Sequence, residues 1–375
     1  MTKKLSIETS PHPKTLALCV WAPYNRTKNI EPYFDEFLNL IKSNGVEPDV
    51  VQKIKLREIN NVSFLTSGKL EELRLFCEEN EIEEIIISEQ LSSQQEKNIG
   101  DYVHAEVFDR THLILEIFEK SAHSGEGKTQ VEIAMLKHAK ARLAGKGKHL
   151  AQQSGVFGVR SGPGETLKER ERRHIEDQIL KAERKLKTLQ KVRATQRKQR
   201  LASKLPYVCL IGYTNAGKST ILNALTKSDV LAEDKLFATL DTTTRELYLG
   251  NTKRALISDT VGFIQQLPTK LVEAFKSTLS ELEFADLLLV VIDVSDPEWE
   301  NHIKVVLEIL ADIDVDKPIL YLFNKIDKVT DPIVIDDIDF KIEKYKPHVV
   351  VSAKSKETLK PLTQFLSSWQ RKIKK

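Results

Sequence analysis

The stretch Gly212-Tyr213-Thr214-Asn215-Ala216-Gly217-Lys218-Ser219 constrains the fold of this chain more than any other. It follows the apolar run Tyr207–Ile211 and opens Lys218–Thr226, where apolar residues recur at helical spacing. A glycine-bounded turn that ends in lysine and a hydroxyl residue, set between strand and helix, reads as a P-loop. Its glycines let backbone N–H groups face a phosphate, and Lys218 sets a positive charge beside the β- and γ-phosphates. The Ser219 hydroxyl is a ligand for Mg²⁺. Such a loop belongs at the carboxyl end of a strand in a mostly parallel, doubly wound sheet.

Three more motifs follow in order. Asp259-Thr260-Val261-Gly262 comes directly after the run Ala255–Ser258 and 40 residues after the lysine loop. There a carboxylate can hold Mg²⁺ through water, and the Gly262 N–H can meet a γ-phosphate. Asn324-Lys325-Ile326-Asp327 follows the strand Ile319–Phe323. Asp327 can accept from the N1–H and exocyclic amine of guanine, whereas adenine would leave the carboxylate unpaired. Asn324 would tie the loop together, and the Lys325 stem would cover the base. Ser352-Ala353-Lys354, after Val349–Val351, offers a backbone N–H for guanine O6. Together these motifs point to GTP. Between the first two lies Phe237-Ala238-Thr239-Leu240-Asp241-Thr242-Thr243-Thr244. One threonine in this first switch should complete the Mg²⁺ shell, and composition does not choose among Thr239, Thr242, Thr243 and Thr244.

The remaining chain is organised around this domain. Its 375 residues suggest two or three domains. Hydrophobic residues at 41% and charged residues at 30% suffice for packed cores and exclude wholesale disorder. Cys19, Cys77 and Cys209 are far apart and form no CxxC, against a disulfide framework or a cysteine zinc site. His104, His112, His123, His138 and His149 lack zinc-ligand spacing, so no metal beyond Mg²⁺ is expected. No apolar run approaches the length of a membrane span, and Met1–Lys14 is polar, so a cytoplasmic protein is expected.

Residues 1–118 alternate strands (Thr15–Trp21, Val46–Lys55, Ile85–Ile87, Ala105–Phe108) with helices. The helices are Ile30–Ser43, Ser67–Glu79 with Ser67 as its N-cap, and Ser92–Gly100. This predicts a small α/β domain without catalytic motifs. Residues 119–204 predict a helical hairpin with a glycine-rich tip, Gly145–Gly164. Its second arm carries an apolar seam of Ile175, Ile179, Ala182, Leu186 and Leu189. Residues 205–375 predict the P-loop domain, closed by an amphipathic helix bearing Leu359, Leu362, Phe365, Leu366, Trp369 and Ile373.

Charge is concentrated in the hairpin. Residues 128–204 hold 21 Lys and Arg against seven Asp and Glu, a local +14 in a chain whose total is only +3. Such a segment favours a polyphosphate partner through counterion release. Phe157 is its only aromatic residue, so base stacking is not indicated and a structured RNA held by its backbone is expected.

The motifs GYTNAGKS (212–219), FATLD (237–241), DTVGFI (259–264), NKID (324–327) and SAK (352–354) resemble those of the HflX family of translational GTPases. So do Asp109-Arg110-Thr111, Glu126–Glu132 and Gly162-Pro163-Gly164-Glu165-Thr166. The resemblance spans nearly the whole chain. It implies Thr239 as the switch threonine on Mg²⁺, binding to the large ribosomal subunit and its rRNA, and splitting of stalled or idle ribosomes. Phe263 stands where Ras-like GTPases carry a water-orienting glutamine, so slow intrinsic hydrolysis is expected; Gln265 or Gln266 swinging in is the alternative. The expected enzyme is a monomeric GTP hydrolase with Lys218 as its catalytic residue. Two other readings are a GTP-switched protein-binding module and an rRNA remodeller that also uses ATP.

Overall fold

The structure, a computed structural model, describes residues 13–25, 27–145, 167–202, 205–226, 235–237, 240, 243–266, 268, 280–355 and 357–369. Ala238, Thr239, Asp241 and Thr242 of the first switch lie outside these residues, as do Gly162–Thr166, Ile373 and most of the glycine-rich tip. The chain forms two compact units, residues 1–114 with 138–174, and residues 115–137 with 175–375.

The first unit holds a four-stranded parallel sheet of β1 (Thr15–Trp21), β2 (Val50–Lys55), β3 (Glu84–Ile87) and β4 (Glu106–Phe108), in the order β2-β1-β3-β4. Its helices are α1 (Glu31–Ser43), α2 (Ser67–Asn80), α3 (Ser93–Val103) and the start of α4 (Arg110–Ser121). β1 is buried along almost its whole length, as a central parallel strand covered on both faces must be. In α1, Tyr33, Phe34, Phe37, Leu40 and Ile41 recur every three or four residues and are buried, each worth about 1.5–3 kcal/mol. β2 begins four residues later than the sequence suggests, because Asn44 and Gly45 close α1 with a turn. The cap of α2 also differs. Thr66 has the extended backbone of an N-cap and Ser67 is already helical. α3 starts with a capping box: the Ser92 hydroxyl accepts from Gln95 N at 3.2 Å, and the Gln95 side chain accepts from Ser92 N at 2.9 Å.

In the second unit, α5 (Gly125–Gly145) and α6 (Leu167–Ala202) contribute their parts within 125–137 and 175–202. Two ion pairs show that these parts run antiparallel. Arg193 lies 2.9 Å from Glu126, and Glu183 lies 3.3 Å from Lys137, so advancing along α5 means going back along α6. Ile179 and Ala182 of the seam are buried, and Ile175, Leu186 and Leu189 are half-buried.

The unit's six-stranded sheet contains β5 (Tyr207–Gly212), β6 (Thr243–Leu249), β7 (Thr252–Asp259), β8 (Leu287–Asp293), β9 (Ile319–Asn324) and β10 (His348–Val350). Their order is β10-β9-β8-β5-β7-β6, parallel except for β6. Side chains of β5 alternate between two cores. Cys209 and Ile211 join Trp299, Ile303 and Val306 of α8 (Trp299–Asp312). Val208 and Leu210 join Ile221 and Leu222 of α7 (Lys218–Thr226) and Leu362 and Leu366 of α10 (Lys360–Ser368). α9 (Pro332–Ile342) lies between β9 and β10 in the chain.

Candidate nucleotide site

Four strands of the six-stranded sheet end where the motifs begin. β5 runs into Gly212, β7 into Asp259, β9 into Asn324, and Ser352 lies two residues beyond the end of β10. Because these strands are parallel, their carboxyl ends lie along one edge, where such sheets bind ligands.

The loop from Gly212 to Ser219 cannot be built from other residues without displacement. Gly212 has φ +149°, and a Cβ there would lie 2.3 Å from Val291 O. Gly217 has φ +96°, and a Cβ would lie 2.4 Å from Asn324 Nδ2. The second contact shows that the P-loop and the base-reading motif are packed directly together. Asn324 Nδ2 donates to Ala216 O at 2.8 Å, and Asn324 Oδ1 accepts from Ala353 N at 2.9 Å. This buried side chain therefore ties together three of the four motifs.

Lys218 is buried and donates to Gly212 O at 3.2 Å and Tyr213 O at 2.8 Å. Burial pushes its ammonium down to about 8, while Asp259 pulls it upward and Lys325 adds to the depression. A buried cation held only at this cost by neutral carbonyls is suited to a polyanion that would restore the charge. The Ser219 hydroxyl donates to Asp259 Oδ2 at 2.5 Å. Hydroxyl and carboxylate are hard oxygen donors, so this pair fits Mg²⁺. Among the described residues there is no group of three or more His, Cys, Asp or Glu side chains able to hold a metal ion.

At the base end, Ser352 Oγ donates to Asp327 Oδ1 at 2.6 Å, and this bond holds the Asp327 carboxyl below the usual range. Lys354 lies 3.8 Å from the same carboxylate. Lys325 takes a left-handed backbone, φ +64°, and its Nζ is 2.7 Å from Asp293 at the end of β8. Asp293 was not visible as a site residue in the motifs; an acidic residue closing the apolar run LLLVVID was the available signal.

Thr260 and Val261 are buried behind Asp259, with the Thr260 hydroxyl on Leu210 O at 2.7 Å. Phe263 is buried among core residues that include Tyr213 and Leu282, away from any water-holding role. Its N–H donates to Gly212 O at 3.1 Å, and its carbonyl accepts from Thr214 N at 2.8 Å. The Tyr213 hydroxyl accepts from Gln265 N at 2.6 Å, while its ring stacks on His302 at 3.8 Å. Phe237 of the first switch is buried and meets Phe118 of α4 edge-on at 4.7 Å; Leu240 is also buried. Thr243 and Thr244, two of the threonines that composition leaves as candidates for the metal, are the first residues of the edge strand β6.

Comparison with known proteins agrees along the chain. Residues 207–325 match the family described as 50S ribosome-binding GTPase. Residues 121–200 match the GTP-binding GTPase middle region, and residues 31–119 match the GTP-binding GTPase N-terminal family. The GTPase HflX of Flavobacterium psychrophilum is 41% identical over 372 residues, covering 98% of this chain and 86% of the relative. That of Caldanaerobacter subterraneus subsp. tengcongensis is 46% identical over 298 residues, covering 79% of this chain and 69% of the relative. A solved structure described as the complex of SsGBP and GDP is 26% identical, with a TM-score of 0.51, over 94% of this chain and 97% of that one. The chain therefore belongs to the HflX family of GTPases.

Proposed function

We propose that this protein hydrolyses GTP to GDP and phosphate, and that the nucleotide controls a grip on the large ribosomal subunit that splits stalled or idle ribosomes. The observation that carries the nucleotide reading is the convergence of Lys218, Ser219, Asp259, Asn324 and Asp327 on one sheet edge, with Asn324 hydrogen-bonded to both Ala216 and Ala353. Gly212–Ser219 cradles the phosphates and Lys218 supplies their counter-charge. Gly262 N–H faces the γ-phosphate, while Asp327, Asn324, Lys325 and Ser352–Lys354 enclose guanine. Ser219 and Thr239, with Asp259 through water, would hold Mg²⁺, which when bound neutralises charge on the β- and γ-phosphates.

Phe263 carries no group that can orient water, so hydrolysis by the free protein is slow and an external surface completes the site. In this reading residues 1–118 form the N-terminal domain, 119–204 the basic arms and 205–375 the G domain. The local +14 of residues 128–204 supports rRNA as the arms' partner. The family description of residues 207–325 supports the large subunit.

The test is co-sedimentation with purified subunits across a salt series. Binding to the large subunit should be stronger with a GTP analogue than with GDP, and should fall steeply with salt. Deleting 146–164 should leave nucleotide affinity intact and weaken subunit binding. Equal binding by the deletion and the intact protein would remove the tip from the interface.

A further inference from the structure

Arg193 differs from its basic neighbours. The other basic side chains described on α6, from Arg170 to Lys191, are exposed. Arg193 is turned inward, with 18% of its side chain exposed, and its Nη1 donates to Glu126 Oε2 at 2.9 Å. Its Nε lies 3.0 Å from Glu281 Oε1, and the Glu281 side chain is 1% exposed. Glu281 sits in the 3₁₀ turn Ser280–Phe284, 18 residues beyond Phe263 in the chain. Its other oxygen accepts from the Tyr207 hydroxyl at 3.2 Å, and that hydroxyl lies 3.0 Å from Ser258 Oγ. Ser258 immediately precedes Asp259.

A buried ion pair contributes little net stability over an apolar replacement, and its attested use is to fix the register of the parts it joins. Here the joined parts are both helical arms, the turn that follows the second switch (the Asp259–Gly262 motif with Phe263), and the strand that carries Asp259. Packing follows the same route, since Phe263, Tyr207 and Leu282 lie in one buried cluster. The second switch also has contacts to exchange. Its Phe263 is now bridged to the P-loop backbone, and Lys218 is spent on P-loop carbonyls. A γ-phosphate that takes Lys218 and Gly262 N–H competes with this arrangement.

We propose that Arg193 is a positioning residue that couples the nucleotide state of the second switch to the basic arms through Glu281. The proposal rests on the GTP reading of the site, though not on any ribosomal partner. Loading the γ-phosphate shifts Phe263 and the turn packed with it. Arg193 carries that shift to α5 and α6, because one guanidinium holds carboxylates on both sides.

The test is hydrogen exchange on the full chain with GDP and with a non-hydrolysable GTP analogue. Arg193→Gln alone would take the guanidinium from the buried Glu281 carboxylate, so the key variant is Arg193→Gln with Glu281→Gln. This pair removes the buried charges and keeps an acceptor for Tyr207. Arg193→Lys is the conservative control. In the wild type, exchange in residues 126–137 and 186–195 should differ between the two nucleotides by at least about fivefold. Arg193→Lys should retain most of that difference. The neutral pair should lose it while keeping wild-type affinity for both nucleotides. A nucleotide-dependent difference of wild-type size in the neutral pair would overturn the proposal, as would a wild type that binds both nucleotides yet shows no difference in the arms. A wild type that binds neither nucleotide would overturn the GTP reading and the coupling with it.

Discussion

The two sheets of this protein share parallel architecture and differ at their carboxyl edges. In the four-stranded sheet, the polar residues at that edge are turned on one another. Asn25 donates to buried Glu89 at 3.1 Å, Tyr24 also hydrogen-bonds Glu89, and Arg110 is fully buried 2.5 Å from Glu36. Burial raises the Glu89 carboxyl above its usual range. The segment from β1 to α1, Ala22–Ile30, contains no glycine. In the six-stranded sheet, Gly212 and Gly217 bring backbone close to Val291 and Asn324, and the buried Lys218 donates to two P-loop carbonyls while the Asp259 carboxylate pulls its ammonium upward. Parallel strand order thus provides an edge, and the loop chemistry decides whether it closes on itself or receives a ligand.

This contrast can be broken by substitutions of graded effect. Lys218→Ala should reduce GTP and GDP affinity by at least about 100-fold, since it removes charge-assisted hydrogen bonds to phosphate. Isothermal titration with each nucleotide measures this, and a loss below tenfold would remove Lys218 from the phosphate site. Gly217→Ala should cost about tenfold in the same titration, because the new Cβ has both an unfavourable φ and Asn324 Nδ2 2.4 Å away. Arg110→Met should leave nucleotide affinity unchanged. It removes the guanidinium from buried Glu36 and should lower the stability of the first unit by about 3–5 kcal/mol in denaturant titration. A change in nucleotide affinity without a change in stability would contradict the view of this cluster as closed and structural.

Sequence and structure part company where burial on one side is weak or charge conceals geometry. The run Thr15–Trp21 and the helix Lys218–Thr226 were legible to the residue because each carries a sustained apolar signal. The edge strand β6 was not, since Thr243–Leu249 has a single fully buried residue, Leu247, among polar neighbours. α9 was missed because its apolar residues are not confined to the core face: Ile333 and Phe340 are 78% and 82% exposed. The motif residues could be assigned to strand ends because glycine, lysine and acidic residues interrupt apolar runs. Arg193 could not be separated from the surrounding basic run, because an inward turn of one side chain leaves no trace in composition. Tyr213 stands in the P-loop motif, but its hold on Gln265 and its stacking on His302 leave no mark in the motif.

The most direct measurement of the guanine-reading site is the nucleotide preference of Asp327→Asn. Asp327 accepts from Ser352 at 2.6 Å and lies beside the Asn324 and Ala353 contacts that join the base end to the P-loop. Asparagine in its place can donate to the 2-oxo group of xanthine but cannot accept from both guanine donors. Competitive binding of GTP and xanthosine triphosphate should show GTP affinity falling and xanthosine triphosphate affinity rising, with a combined change of at least about 100-fold. Unchanged preference for GTP in this variant would contradict Asp327 as the reader of the base and, with it, the assignment of this sheet edge as the GTP site.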